Sequence, residues 1–166
     1  MEDNYIMLNG KMVPLTEEQV AALLGGKETE REKVDPFDRN LDQIYYYIDY
    51  LGELDADVDN FSEDDDNTYN AANYCTDKEM MNQRAMHETL NRLLWRYSEQ
   101  HGGDNEWDGE NLHYSITIND VLVPGSEWFA SVRPFGTVYF KDRDTAQAAI
   151  DDVVRPFLAE HPDFVW

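Results

Sequence analysis

The sequence predicts an α+β fold: an antiparallel sheet packed against a long central helix and a C-terminal helix, with a small N-terminal ββα unit. Short runs of β-branched and aromatic residues, separated by turn residues, indicate antiparallel strands. Residues 76–100 and 144–158 instead carry apolar side chains at helical spacing. A chain of 166 residues suits one domain, or two small modules that share a core.

The first segment, residues 1–26, is the predicted ββα unit. Apolar runs over 5–8 and 11–15 flank Asn9-Gly10, a strong signal for a two-residue hairpin turn. A capping-box pattern beginning at Thr16 then opens a helix.

The second segment, residues 27–68, is predicted as a linker, one strand and an acidic loop. Its polar start ends in an Asp35-Pro36 turn, and the aromatic and β-branched run Ile44–Ile48 favours a strand. From Glu53 to Asp66 the chain has eight carboxylates and no basic residue, which predicts a mobile loop that contains at most short ordered pieces.

The third segment, residues 69–166, holds the long helix, the antiparallel strands and the C-terminal helix. A capping pattern at Thr76 opens the long helix, and Gly102-Gly103 ends it after about Gln100. Its predicted core-facing stripe comprises Met86, Leu90, Leu93, Leu94 and Tyr97. Strands are expected over 112–118, 121–123, 128–132 and 135–140, followed by a helix over 144–158 with Pro156 in its last turn or at a kink.

Charge sets the class of partner. The chain has 35 Asp and Glu against 13 Lys and Arg, a formal net charge of -22. Such a field repels bare nucleic acid and anionic membrane surfaces, and it favours cations or strongly basic protein surfaces as partners. We therefore expect no direct nucleic-acid binding and no membrane binding.

The lone cysteine and the absence of targeting signals indicate the compartment. Cys75 can form no intramolecular disulfide, which suits a reducing environment. The N-terminus lacks the pattern of a secretory signal, and no apolar run approaches the roughly 18 residues that a membrane span requires. We expect a cytoplasmic protein.

The acidic stretch is the main candidate site. Asp55, Asp57 and Asp59 alternate, so on an extended backbone their side chains emerge about 6.6 Å apart on one face. This spacing is similar to that between neighbouring phosphates of a nucleic-acid strand. A second block extends the array, and the predicted partner-binding carboxylates are Asp55, Asp57, Asp59, Glu63, Asp64, Asp65 and Asp66.

Two other interpretations of this stretch remain open. One is a solvated acidic loop with no specific partner. The other is a calcium loop, because Asp55, Asp57 and Asp59 have the spacing of the first half of an EF-hand. Against calcium, Asn60 stands where that loop needs glycine, and Asp66 stands where it needs glutamate.

A second candidate surface lies on the long helix, opposite the core stripe. Trp95 and Met81 both fall there. Either another segment covers this face, or the two side chains form a contact surface for a partner or a second copy of the chain.

No enzymatic motif stands out. The four histidines are scattered, and a Cys75 pair with His113 or His161 is a weak alternative. Because Cys75 immediately precedes the predicted helix cap, the helix N-terminus could lower the pKa of its thiol. We expect no catalytic residue, no cofactor and no metal.

Several stretches carry a resemblance: Leu8–Lys11, Leu15–Gln19, Asn73–Glu79, His87–Ser98, Gly136–Phe140 and Glu160–Phe164. Together they resemble small, acidic, uncharacterised proteins of phages and mobile elements in gut Firmicutes. Some proteins of such elements are anti-CRISPR or other anti-defence inhibitors, and several of those imitate nucleic acid. The resemblance implies this direction and supplies no catalytic motif.

The expected function is a non-enzymatic anti-defence inhibitor that binds a basic nucleic-acid groove of a Cas-type nuclease by mimicking phosphate charge. The alternative is an accessory protein-interaction module, possibly dimeric, that uses the Trp95 and Met81 face while its acidity serves solubility. The oligomeric state stays open.

Overall fold

The computed structural model describes residues 5–8, 11–14, 35–119, 121–124, 128–129 and 131–166, and it confirms the α+β class. The chain divides into two units, Met1–Asp38 and Arg39–Trp166. Residues 39–68 therefore belong with the rest of the second unit, so the predicted division after residue 68 does not separate two units.

The first unit contains the predicted hairpin. Strands β1 (Tyr5–Leu8) and β2 (Lys11–Pro14) pair antiparallel, with Leu8 opposite Lys11. The predicted Asp35-Pro36 turn is also present, because the Asp35 carboxylate accepts a hydrogen bond from the Phe37 N–H at 3.0 Å. The helix predicted from Thr16 lies outside the described residues.

The second unit begins with an ordered acidic segment, so the predicted mobile loop is wrong. Strands β3 (Gln43–Ile48) and β4 (Leu54–Asp59) form an antiparallel hairpin, and helix α1 (Glu63–Asn70) follows. This acidic segment is ordered partly because its helix has a good N-terminal cap. Ser62 caps α1 in a reciprocal capping box with Asp65.

Helix α2 (Lys78–Gln100) is the predicted long helix. Its N-cap is Asp77, one residue beyond the predicted Thr76, and the Asp77 carboxylate accepts from the Met80 N–H at 3.1 Å. The helix ends where predicted. Gly102 and Gly103 both have positive φ, and the Gly103 N–H donates to the carbonyl of Ser98 at 2.8 Å.

Helix α2 contributes to two separate apolar clusters. Met86, Leu90 and Leu94 of the predicted stripe are buried against the C-terminal helix, and Leu93 and Tyr97 pack at the margin of that cluster. Near the start of α2, buried side chains on another face join the β3–β4 hairpin. That smaller cluster comprises Ile48, Cys75, Met81 and Ala85, with Tyr46 and Leu54 at its margin.

The remaining strands form short pairs. Strand β5 (Leu112–His113) pairs with β8 (Trp128–Phe129), and β6 (Ile116–Asn119) pairs with β7 (Val121–Pro124). The predicted strand over 112–118 is thus split in two. The strand predicted over 135–140 reduces to a single backbone bridge between Phe140 and Tyr114. In the described part of the chain, the strands make four two-stranded pairs rather than one larger sheet.

The C-terminal helix is continuous but irregular. Helix α3 (Arg143–Ala149) passes into a π-helical turn (Ile150–Val154) and then into helix α4 (Arg155–Glu160). In the π turn the Arg155 N–H bonds to the carbonyl of Ile150, five residues back. Pro156 lies in the first turn of α4, directly after the π turn. The predicted kink or last turn at Pro156 is therefore a π turn that precedes it.

None of the helices among the described residues combines the length and apolarity that crossing a membrane requires.

Candidate functional site: the acidic lobe

The negative charge of the second unit is concentrated in its first part, residues 39–77, which we call the acidic lobe. It contains β3, β4 and α1, and it carries eleven Asp and Glu residues against a single basic residue, Arg39. Between Asn40 and Asp77 there is no lysine or arginine at all. The lobe therefore presents an almost purely anionic surface.

Arg39 is held inside the lobe. Its Nε lies 2.7 Å from Asp59 Oδ2 and its Nη2 lies 2.7 Å from Asp59 Oδ1, a two-pronged ion pair. Its Nη1 reaches Asp66 Oδ1 at 2.6 Å, and the ring of Phe61 lies 4.9 Å from the guanidinium carbon. Asp59 is fully buried, and its bond to Arg39 holds the pKa of Asp59 below its usual value.

Asp65 is the second buried carboxylate. It accepts hydrogen bonds from the backbone N–H and hydroxyl of Ser62 at 2.9 and 2.8 Å, and from the N–H of Asn60 at 3.0 Å. The Tyr45 hydroxyl donates to its other oxygen at 3.0 Å. Burial works to raise the pKa of Asp65, but these hydrogen bonds outweigh it and lower the pKa to about 2. Asp65 thus fixes the start of α1 against the hairpin.

Tyrosines form the packing of the lobe. Tyr45 stacks on Tyr74 with ring centroids 4.5 Å apart, and Tyr69 of α1 meets the Tyr74 ring edge-on at 5.6 Å. Burial and the neighbouring Asp59 carboxylate raise the pKa of Tyr74 to about 12. The lobe therefore has an aromatic interior that holds its acidic surface in place.

Only part of the predicted carboxylate array faces outward. Asp55, Asp57, Glu63 and Asp64 are exposed, and Asp66 is exposed although it also pairs with Arg39. The assignment of Asp59 and Asp65 to partner binding is wrong, because both side chains are buried and bonded within the lobe. The sequence could not separate them, since all seven are the same residue types in one run.

The outward side of β4 combines charge with tyrosine. Tyr47 lies opposite Asp55 in the hairpin, and its hydroxyl donates to Asp55 Oδ2 at 3.0 Å. That hydrogen bond, followed by burial, raises the pKa of Tyr47, and Asp57 and Asp49 act in the same direction. Several carboxylates therefore surround one hydroxyl, a negative field suited to a cationic group.

The calcium interpretation does not fit the backbone. Asp55, Asp57 and Asp59 lie on the extended strand β4, so they do not wrap around a common centre as an EF-hand loop does. Across the residues that the structure describes, no group of three or more His, Cys, Asp or Glu side chains is placed to hold a metal ion.

Of the two side chains predicted to form the second surface, only Trp95 is exposed, so the prediction is wrong for Met81. Met81 is almost completely buried in the smaller cluster, between α2 and the hairpin, so it offers no contact surface. Trp95 is 55% exposed. It lines an open groove of about 460 Å³ together with Asn91, Arg133, Phe135 and Val138. Phe135, outside the original prediction, is fully exposed at the rim.

The Cys75 environment is inert. The thiol is buried against Met81 and Ala85, and burial raises its pKa, opposite to the expected effect of a helix N-terminus. Its Sγ contacts the carbonyl oxygen of Asp77 at 3.4 Å. These surroundings suit a packing role.

The sequence analysis did not find a buried cluster formed by one histidine, His113, with aromatic and acidic neighbours. His113 stacks on Trp107 with ring centroids 3.6 Å apart, and its Nδ1 lies 2.9 Å from Asp104 Oδ1. The same carboxylate accepts from Trp107 Nε1 at 2.8 Å, and Tyr139 meets both rings edge-on. His113 is fully enclosed, so the cluster anchors β5 rather than facing a substrate. The spacing of Asp104, Trp107 and His113 carries no recognisable signal.

Comparison of the chain with protein-family models, with curated proteins and with solved structures finds no match in any of the three. The site must therefore be interpreted from its own chemistry.

Proposed function

We propose that the protein is a non-enzymatic inhibitor that acts in the bacterial cytoplasm by occupying a basic nucleic-acid groove of a nuclease. One observation carries the proposal: an ordered lobe with eleven carboxylates has Arg39 as its single basic residue, and that residue is consumed by internal ion pairs. Its exposed carboxylates therefore have no free lysine or arginine of the lobe to neutralise them.

The physical basis is competition for lysine and arginine. Nucleic-acid grooves bind phosphates mainly through these cations, and their affinity falls steeply with salt. Asp55 and Asp57 on β4, with Glu63 and Asp64 at the start of α1, supply fixed anionic groups for the same contacts. A Cas-type effector, which holds its guide–target duplex in a positively charged channel, is the partner that the sequence resemblance implies.

The test is a competition assay with a purified Cas-type nuclease and its labelled target DNA, repeated at several salt concentrations. We expect the protein to displace the DNA and its inhibition constant to weaken as salt rises. Inhibition that does not change with ionic strength contradicts the proposal.

A matched pair of variants separates the lobe from total charge. The first neutralises four exposed lobe residues: Asp55→Asn, Asp57→Asn, Glu63→Gln and Asp64→Asn. The second neutralises four exposed residues elsewhere: Glu99→Gln, Glu106→Gln, Glu110→Gln and Glu160→Gln. Both variants remove four negative charges, so their net charges are equal. We expect the lobe variant to lose inhibition by about tenfold or more, since several charge contacts disappear together, and the control to keep it.

A second candidate function is favoured by the groove beside Trp95. Exposed Trp and Phe side chains next to an arginine are typical of protein–protein contacts. In this case the protein is an interaction module, and light scattering should show a dimer that Trp95→Ala dissociates. The inhibitor proposal instead expects Trp95→Ala to keep both its mass and its inhibition.

A further inference from the structure

The outer edge of β4 carries backbone polar groups that the hairpin does not use. Tyr46 exchanges both backbone hydrogen bonds with Cys75, at 2.7 and 3.1 Å, so its N–H and C=O point away from β4. Tyr46 lies opposite Ala56. Antiparallel pairs alternate between bonded and non-bonded positions, so Ala56 also directs its N–H and C=O away from β3. Val58, two residues on, has the same orientation.

Within the described part of the chain this edge is open, whereas the other edge of the hairpin is covered. The Asn73 side chain bonds both the N–H and the C=O of Ile48, next to the Cys75 bridge on β3. Among the described residues no strand pairs with the outer edge of β4. Its N–H groups bond only to side chains: Ala56 to Asp55 Oδ1 at 2.8 Å and Val58 to Asp57 Oδ1 at 2.7 Å.

The two faces of the hairpin beside this edge differ in chemistry. Asp55 and Asp57 project from one face of β4. Ala56 and Val58 project from the other, where Val58 is 42% exposed and its register partner Ile44 is 55% exposed. A strand added here would place alternate side chains beside carboxylates and beside apolar groups.

We propose that the outer edge of β4 takes up an extended segment of a basic protein as an antiparallel third strand, in which lysine or arginine alternates with apolar residues. The inference rests on the proposed function and specifies its partner. Carbonyl groups of the incoming segment replace Asp55 and Asp57 at the Ala56 and Val58 N–H groups, which frees both carboxylates to pair with the incoming cations. Main-chain hydrogen bonds supply affinity, and the alternation supplies specificity.

The probe is an octapeptide, acetylated at its N-terminus only, in which lysine alternates with valine. It is compared with an isomer that has the four lysines in one block and the four valines in another. Both carry the same charge, so general attraction to the acidic lobe is equal. We expect the alternating peptide to bind about tenfold more tightly at the same salt concentration, measured by calorimetry. Equal affinities overturn the inference.

Backbone methylation of the peptide tests strand pairing without altering the protein. Residues directly opposite Ala56 and Val58 share their apolar face, so the valine N–H groups of the peptide point at β4. N-methylation of the valines should abolish the tenfold advantage, and N-methylation of the lysines should preserve it. If both methylated peptides keep the advantage, or both lose it, strand addition is wrong.

A protein variant gives the complementary test. Ala56→Pro removes an outward N–H while sparing the ladder with β3. We expect the two isomers to bind it equally, with the affinity of the block isomer unchanged and the circular dichroism spectrum preserved.

The two proposals fail separately. If both isomers bind equally at low salt and both lose affinity to the Asp55→Asn/Asp57→Asn variant, the acidic surface binds cations but β4 accepts no strand. If neither peptide binds at low salt, strand addition is contradicted, and the inhibitor proposal is decided by the competition assay with the nuclease.

Discussion

At the residue scale, the acidic lobe shows that identical side chains do opposite things. Asp59 and Asp57 are two residues apart on β4, yet Asp59 is buried on Arg39 and Asp57 faces solvent. A buried carboxylate that pairs with arginine contributes to stability only while both partners are present, whereas an exposed one contributes to the surface potential.

Asp59→Ala should lower the free energy of unfolding by about 3 kcal/mol, because it leaves the Arg39 guanidinium without its two-pronged partner. Asp57→Ala, the matched control on the same face of the same strand, should change it by less than about 0.5 kcal/mol. Urea unfolding followed by tyrosine and tryptophan fluorescence measures both. Equal effects of the two substitutions would show that Asp59 is not the anchor of the lobe.

Acid should loosen the lobe through Asp59 and Asp65. Both have a folded-state pKa below the unfolded value, so both stabilise the fold above about pH 4. That stabilisation is lost as the pH falls from about 4 toward the folded pKa, which for Asp65 is about 2. Unfolding free energies measured between pH 5 and pH 2.5 should fall steadily. Asp65→Asn should reduce the dependence of the unfolding free energy on pH. If the dependence stays the same, Asp65 is not a source of the loss of stability in acid.

At the element scale, much of the fold could be predicted because periodicity and capping are local. The β1–β2 hairpin, β3, α2 with its glycine stop, and most of the C-terminal helix all follow from such patterns. Strand β4 and α1 were missed because eight carboxylates outweighed two weaker signals: the alternating Leu54-Asp-Ala-Asp-Val-Asp59 pattern and the Ser62 capping box. The burial of Asp59 and Asp65 depends on Arg39 and Tyr45, which only the tertiary structure brings there.

The β3–β4 connection depends on Gly52. Its φ is +91°, and a side chain there would collide with the Arg92 guanidinium, which lies 2.0 Å from the position of an added Cβ. Gly52→Ala should therefore cost about 1–2 kcal/mol from backbone strain, and the flexible end of the Arg92 side chain can move aside at little further cost. Gly136→Ala is the control: its φ is +83° but the space around it is empty, so it reports backbone strain alone. Thermal unfolding should give similar losses of melting temperature for the two variants, and a much larger loss for Gly52→Ala would show that Arg92 cannot move aside.

At the scale of the whole molecule, the charge that the proposed function requires works against stability. A net charge of -22 opposes compaction, and within the second unit the repulsion is greatest in the lobe. Salt screens exposed charges over about 10 Å at 0.1 M, so the melting temperature should rise with sodium chloride.

The lobe variant with four neutralised carboxylates should be more stable than the parent at low salt, although it loses inhibition. Removing mutual repulsion among exposed groups strengthens the fold, because none of the four is buried. Differential scanning calorimetry at low ionic strength checks this. A lower melting temperature would mean that lost inhibition reflects damage to the fold.

The outer edge of β4 also bears on how the protein behaves in acid. Near its isoelectric point of about 4.2 the chain loses the charge that keeps copies apart. Copies that approach each other then present a strand edge flanked by Val58 and Ile44, which can pair with the same edge of another copy. Acidified solutions should thus develop thioflavin-positive fibrils after a lag, and Ala56→Pro should delay them.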